Sequence, residues 1–341
     1  MHFGEPIDDE RFLTLVRPGG GIDTVITADV YGAGEADTML GRALHGIARD
    51  QVCIVGAVGH DFYDGERNGS KGFPRFTDPS LRGADGYADY LRMATERSLE
   101  RCDVDRFDLL LLHNPDRTGY TSPAVWQAMA ALREEGLTSM IGVAPGPANG
   151  FTLDLIDCLE RYGDLLDWAM IILNPLEPWP GELVLSAAAQ AGVKLITRVV
   201  DYGGLFFDDL LPDQQLARGD HRGFRPAGWI EAGLERIEPM RPIAQRAGLT
   251  LIQEVGPHAK SIEDKRAELA ALPVDERLTT DDVATIRALG DNTGSMLLKG
   301  GSPEFSGDEQ PDRWTLDDHL ESVAARWEIE PGRDLTQRVA A

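Results

Sequence analysis

A chain of 341 residues, 42% hydrophobic and 26% charged, is too long for a minidomain and long enough for one large α/β barrel or two average domains. Its 57 acidic residues outnumber the 33 basic ones, giving a formal charge of −24 whose mean field repels phosphate and excludes a general nucleic-acid or anionic-membrane binder. A local basic pocket for one phosphorylated small molecule remains allowed, but lysines are few: only Lys71, Lys194, Lys260, Lys265 and Lys299.

Residues 1–11 carry charges where a signal peptide would need an apolar run, and no stretch of eighteen apolar residues occurs, so a cytoplasmic protein without a membrane span is expected. The cysteines, Cys53, Cys102 and Cys158, have no metal-ligand spacing; no metal site and a reducing compartment follow. Residues 12–16 are read as a short strand. From residue 22 to about 200, β-branched apolar runs alternate with stretches of helical period, the pattern of parallel strands with crossover helices. Strands are predicted at 24–27, 52–58, 107–112, 139–144, 168–173 and 194–200, most of them continuously hydrophobic, as strands buried on both faces must be. Helices are predicted at 35–49, 81–101, 123–135, 152–162 and 181–191, with Gly136 and Gly192 after two of them. A further strand at 249–255 would meet 12–16 at a seam. Helices at 229–247, 261–271 and 280–289 complete the outer layer. The expected fold is therefore an α/β, (β/α)8 TIM-type barrel over 1–299, with shortened first and last strand-helix units. Residues 300–341 form an acidic loop and a C-terminal helix, 316–327, packed on the barrel. Short seam strands leave unpaired edges, so a homodimer is the expected assembly.

Polar residues at the C-terminal ends of barrel strands are the ones to weigh for chemistry. Asp29 and Tyr31 follow the strand at 24–27 within Thr27-Ala28-Asp29-Val30-Tyr31-Gly32; Asp29 there is either a helix cap or a functional carboxylate. His113 follows Asp108-Leu109-Leu110-Leu111-Leu112 and is either a satisfied core histidine or an acid at the rim, the position favouring the second. Residues 59–80, with Phe73 and Phe76, read as a lid or as surface packing; Trp179, Phe206 and Phe207 lie in loops where they could wall a pocket, while Trp126 and Trp168 read as packing.

The block Asp29-Val30-Tyr31-Gly32, with Glu35, Leu40-Gly41 and Ala43-Leu44, then Asp108 through His113, resembles the aldo-keto reductase superfamily, and His113-Asn114-Pro115-Asp116 resembles its sugar and pyridoxal dehydrogenase branch. The likeness continues through Ile141-Gly142-Val143 and Tyr202-Gly203-Gly204-Leu205, covering roughly 22–210. The resemblance implies an oxidoreductase acting on an aldehyde, ketone or aldose with NADP(H). In that pattern Tyr31 is the acid/base, Asp29 the buried carboxylate and His113 the group that orients the substrate oxygen. A phenol with a pKa of about 10 needs a nearby cation to act near neutrality.

Three departures accompany the resemblance. The family's lysine position is Ala57 here, leaving Lys71, His60 and Arg198 as substitute cations, Arg198 being the better because a guanidinium at the mouth should have an anionic partner. Ala144-Pro145 stands where relatives present Ser-Asn to the nicotinamide, which leaves Asn174 for that task along with Tyr202, Gly203 and Leu205. The cofactor-phosphate loop is compressed at Gly256; Lys260, Lys265 and Arg266 beyond it are either phosphate ligands at a helix start or surface charge. Three functions fit these residues: an NADP(H)-dependent oxidoreductase; a cofactor-independent lyase or isomerase in which Tyr31 and His113 are acid and base and Arg198 grips an acidic substrate; and a non-catalytic barrel.

Overall fold

All six strands predicted between residues 22 and 200 form. In the computed structural model, residues 8–19, 23–69, 72–146, 151–178, 180–216, 220–225, 227–249, 251, 262–271, 277–290 and 317–331 are described. Strands β1 (Thr24–Ile26), β2 (Cys53–Val58), β3 (Phe107–His113), β4 (Thr138–Ala144), β5 (Trp168–Ile172) and β6 (Lys194–Arg198) pair in chain order, each parallel to the next. Among the described residues the sheet is a curled half-barrel whose edges are β1 and β6, rather than the closed eight-stranded barrel expected.

Helix α1 (Asp9–Val16) precedes β1, and the crossovers are helices α2 (Glu35–Leu44), α3 (Tyr87–Cys102), α4 (Arg117–Thr121), α5 (Pro123–Glu134), α6 (Thr152–Tyr162) and α7 (Leu185–Ala191). Beyond β6 lie α8 (Trp229–Ile237), α9 (Arg241–Arg246), α10 (Ile262–Ala270), α11 (Thr280–Leu289) and α12 (Asp318–Arg326). Gly136 and Gly192 take positive φ after α5 and α7, as a left-handed helix end requires.

The strands are buried on two faces. Ile54, Val58, Leu110, Leu112, Ile141, Val143, Ala169 and Ile171 pack under helices carrying Leu91, Trp126 and Ile156. The alternate residues, Val55, Ala57, Leu109, Leu111, Ala144 and Met170, form a smaller cluster on the helix-free inner face. Two-sided burial explains why the strands read as unbroken apolar runs.

Two seam predictions change. Residues 12–16 belong to α1, not to a strand: Asp8 caps the helix by accepting from Arg11 N at 2.8 Å, and Asp9 and Glu10 complement the first-turn dipole. Leu249 does not open a strand either; its N–H donates to the Ala244 carbonyl at 2.8 Å and closes α9, while 252–255 lie outside the described residues. At the other end of the chain, α12 rests on α6 through Leu320, Val323 and Ala324. Arg117 spans Asp317 (2.6 Å) and Asp154 (3.5 Å) across this contact, and His319 meets Asp157 at 2.9 Å. The acidic loop 300–312 lies outside the described residues.

Candidate active site

Beyond β1 the chain keeps following β2, with Thr27 N donating to the Val55 carbonyl (2.9 Å) and Asp29 N to the Ala57 carbonyl (3.1 Å). Asp29 is thereby held inside the sheet end, fully buried. A turn closed by Tyr31 N on the Ala28 carbonyl (2.9 Å) then lifts Tyr31 outward, where it is 54% exposed. His113 ends β3 on the same rim. Its ring stands edge-on to Tyr31 with centroids 5.6 Å apart, and His60 flanks its other side at 5.2 Å. The sequence separated these three residues by up to 82 positions; parallel pairing of β1, β2 and β3 brings their ends together.

Burial decides the charge states. It pushes the His113 imidazole down to about 3, helped by His60, Arg198 and Arg75, and it pushes His60 down to about 4, helped by Arg75. Both rings are neutral near pH 7. Asp29 moves the other way: burial, with Asp37 adding like charge, raises its pKa well above the usual carboxylate range, and Arg101 only partly opposes this. Neither carboxyl oxygen has a well-formed hydrogen bond among the described residues.

The structure brings Arg198 to the site and adds Arg75, which sequence reading passed over because an arginine in a long loop carries no local signal. Arg198 ends β6, and its Nη2 donates to the carbonyls of Pro145, at 3.1 Å, and Gly146. Arg75 donates from Nε to the Asn114 carbonyl, and its Nη1 lies 3.1 Å from His60 Nδ1. The loop that carries Arg75 is anchored rather than free, since Phe76 is buried between Tyr87 and Tyr90. Lys71 lies outside the described residues. Lys194, at the opposite end of β6, sits over the Trp168 ring at 5.4 Å.

The residues expected to hold NADP(H) fit it unevenly. Asn174 accepts from Leu176 N at 2.9 Å and donates to the Val199 carbonyl at 3.1 Å, and its amide nitrogen also faces Glu177, so its side chain shapes its own loop and offers no spare donor to a carboxamide. The loop Tyr202-Gly203-Gly204-Leu205 packs on Arg222, which is held by Asp220 at 2.7 Å and donates to the Gly203 carbonyl at 2.9 Å, and Arg225 lies 3.9 Å over the buried Tyr202 ring, so both arginines are engaged within the loop. Arg266 is engaged elsewhere, donating to the carbonyls of Arg17 (2.8 Å) and Gly19 (3.1 Å). Lys260, and the side chain of Lys265, lie outside the described residues. Phe206 and Phe207 are buried against Trp229 and Ile230; Phe206 also lines a small cavity with Val200, Met240 and Ile286 that includes neither Tyr31 nor His113, and Trp179 is outside the described residues. No group of three metal-ligating side chains occurs, and no helix is long and apolar enough to cross a membrane, among the described residues.

A parallel half-barrel with a tyrosine-histidine pair on the C-terminal rim of its strands defines an α/β protein of the parallel-barrel kind. The model of the Aldo/keto reductase family matches residues 12–255, and the chain belongs to that family. It is similar to a D-threo-aldose 1-dehydrogenase of a Pseudomonas species, 28% identical over 46% of this chain and 52% of the relative. Among solved structures it resembles the holo form of a Bacillus halodurans aldo-keto reductase (TM-score 0.56, 21% identity, covering 84% of this chain and 90% of the other). It also resembles a Klebsiella pneumoniae aldo/keto reductase in complex with NADP and acetate (TM-score 0.52, 19% identity, 84% and 87%). These structural likenesses speak for the fold. The matched segments span only 37% and 52% of the first curated relatives' own length.

Proposed function

We propose that this protein is an oxidoreductase that interconverts a carbonyl compound and its alcohol with NADP(H) as hydride carrier. The observation that carries the reading is the edge-on pairing of exposed Tyr31 with neutral His113 at the strand ends. A neutral imidazole donates a hydrogen bond to a carbonyl oxygen without giving up a full proton, and the adjacent phenol gives that oxygen its proton. When bound, the nicotinamide supplies the hydride to the carbonyl carbon. In the reverse direction Tyr31 takes the alcohol proton.

Family members described by the resemblance hold the tyrosine's charge with a lysine. Here Arg198 faces Tyr31 from β6 and supplies the positive potential that a phenolate needs, from a different strand. Tyr31→Phe is expected to lower kcat for NADPH-dependent aldehyde reduction by about 10²-fold or more while NADPH still quenches protein fluorescence. Absence of cofactor binding at high micromolar NADPH would move the assignment to the cofactor-independent acid/base reading of the same pair.

A further inference from the structure

We propose that Arg75 and Arg198 form an anion subsite beside Tyr31 and His113, so that the preferred substrate is a carbonyl compound bearing a carboxylate. This rests on the oxidoreductase reading and narrows its substrate class.

Both guanidiniums bear on the same rim: Arg75 lies 3.1 Å from His60, whose ring flanks His113, and Arg198 is held at Pro145, directly after the Ala144 that pairs with His113. Both also act on His113 and on the hydroxyl of Tyr120, which is buried with no hydrogen-bond partner among the described residues. Neither pairs with a carboxylate among the described residues. Glu177 acts on Arg198, and Asp116 on Arg75, only beyond ion-pair distance. Asp116 is already taken, accepting from Thr77 Oγ1 and from Gly119 N, each at 2.8 Å. Arg198 is fixed by the Pro145 and Gly146 carbonyls, which leaves its buried Nε without a partner. Around Arg75 the donors are also in surplus. If His60 Nε2 accepts from Asn114 Nδ2 (3.1 Å), its Nδ1 carries the proton toward the Phe73 carbonyl (3.1 Å), and Arg75 Nη1 then faces no acceptor.

Charge arithmetic points the same way. Two cations and two neutral histidines stand at the mouth, whereas a tyrosinate formed during turnover balances one cation. The chain has 57 acidic residues at its disposal, yet among the described residues none pairs with either arginine. A half-buried, unpaired guanidinium is unfavourable unless an anion arrives, and its planar donors match a carboxylate. Against a net charge of −24, a positive mouth also directs a small anion to one place on a repelling surface.

The test compares succinic semialdehyde with butanal, two aldehydes of equal chain length of which the first carries a carboxylate, and separately titrates the cofactor-free protein with oxamate by calorimetry. The expected result is a kcat/KM at least about tenfold higher for succinic semialdehyde, with Arg75→Gln and Arg198→Gln each reducing that ratio by about tenfold and Arg75→Lys restoring part of it. Using the ratio cancels any general loss of activity, and thermal melts of each variant report folding. Oxamate binding that weakens about tenfold in Arg75→Gln supports the subsite even if neither aldehyde is turned over; in that case it is the oxidoreductase reading that falls. Equal kcat/KM for the two aldehydes, with oxamate binding absent or indifferent to Arg75→Gln, overturns the subsite while leaving the oxidoreductase reading intact.

Discussion

Asp29 shows how burial changes the state of a side chain. Beside Ala57, its carboxyl group is buried with no ion pair among the described residues, and burial raises its pKa. The sign of the stability effect follows from proton binding. Folded Asp29 holds its proton more tightly than the unfolded chain does, so rising pH beyond the unfolded carboxylate pKa removes stability until the folded pKa is passed. Asp29→Asn, similar in shape and never charged, is therefore expected to flatten the decline of stability above about pH 4 and to raise stability near pH 7 by about 1–3 kcal/mol, read from urea unfolding at several pH values. Neither the charge state of Asp29 nor the role of Arg75 was legible in the motif, since both depend on what lies across the sheet end.

At the level of elements, the rim is set by how closely β2 and β3 finish. A Cβ at Gly59, the first residue beyond β2, would sit 2.5 Å from the His113 carbonyl oxygen and 3.2 Å from its nitrogen. Gly59→Ala is thus expected to displace His113 and lower kcat/KM by about tenfold or more with a smaller loss of stability, a split that steady-state kinetics and a thermal melt on one sample resolve. The six strands and their helices were legible because two-sided burial and helical period write themselves into the sequence. Residues 12–16 misled because Phe12, Leu13, Leu15 and Val16 are as apolar as a short strand; the cap at Asp8 and the acidic first turn were the signals for a helix. The partner face of α12 needed coordinates as well. Leu320 is buried against α6, so Leu320→Ala should cost about 2–5 kcal/mol in urea unfolding, at the upper end if no neighbour fills the cavity.

For the molecule as a whole, an excess of 24 negative charges sets a repulsive background that salt screens. Raising sodium chloride from about 20 mM to about 300 mM should increase the melting temperature by a few degrees, because self-repulsion from the net charge falls more than the ion pairs, most of them partly exposed, lose. A flat or falling melting temperature over that range would show that surface ion pairs outweigh the net charge.

Composition, apolar periodicity and one spaced set of residues were enough to read a parallel α/β chain of barrel type, six strand positions and the grouping of Asp29, Tyr31 and His113, because each is written locally or in the order of elements. The charge that replaces a lysine is different in kind. Arg75 reaches the site from a loop and Arg198 from the far edge strand, and Asn174 turns away from it, through contacts between residues distant in the chain. Such pairings arise from packing in three dimensions, and so does the burial that lowers the pKa of His60 and His113 beside the arginines and raises that of Asp29.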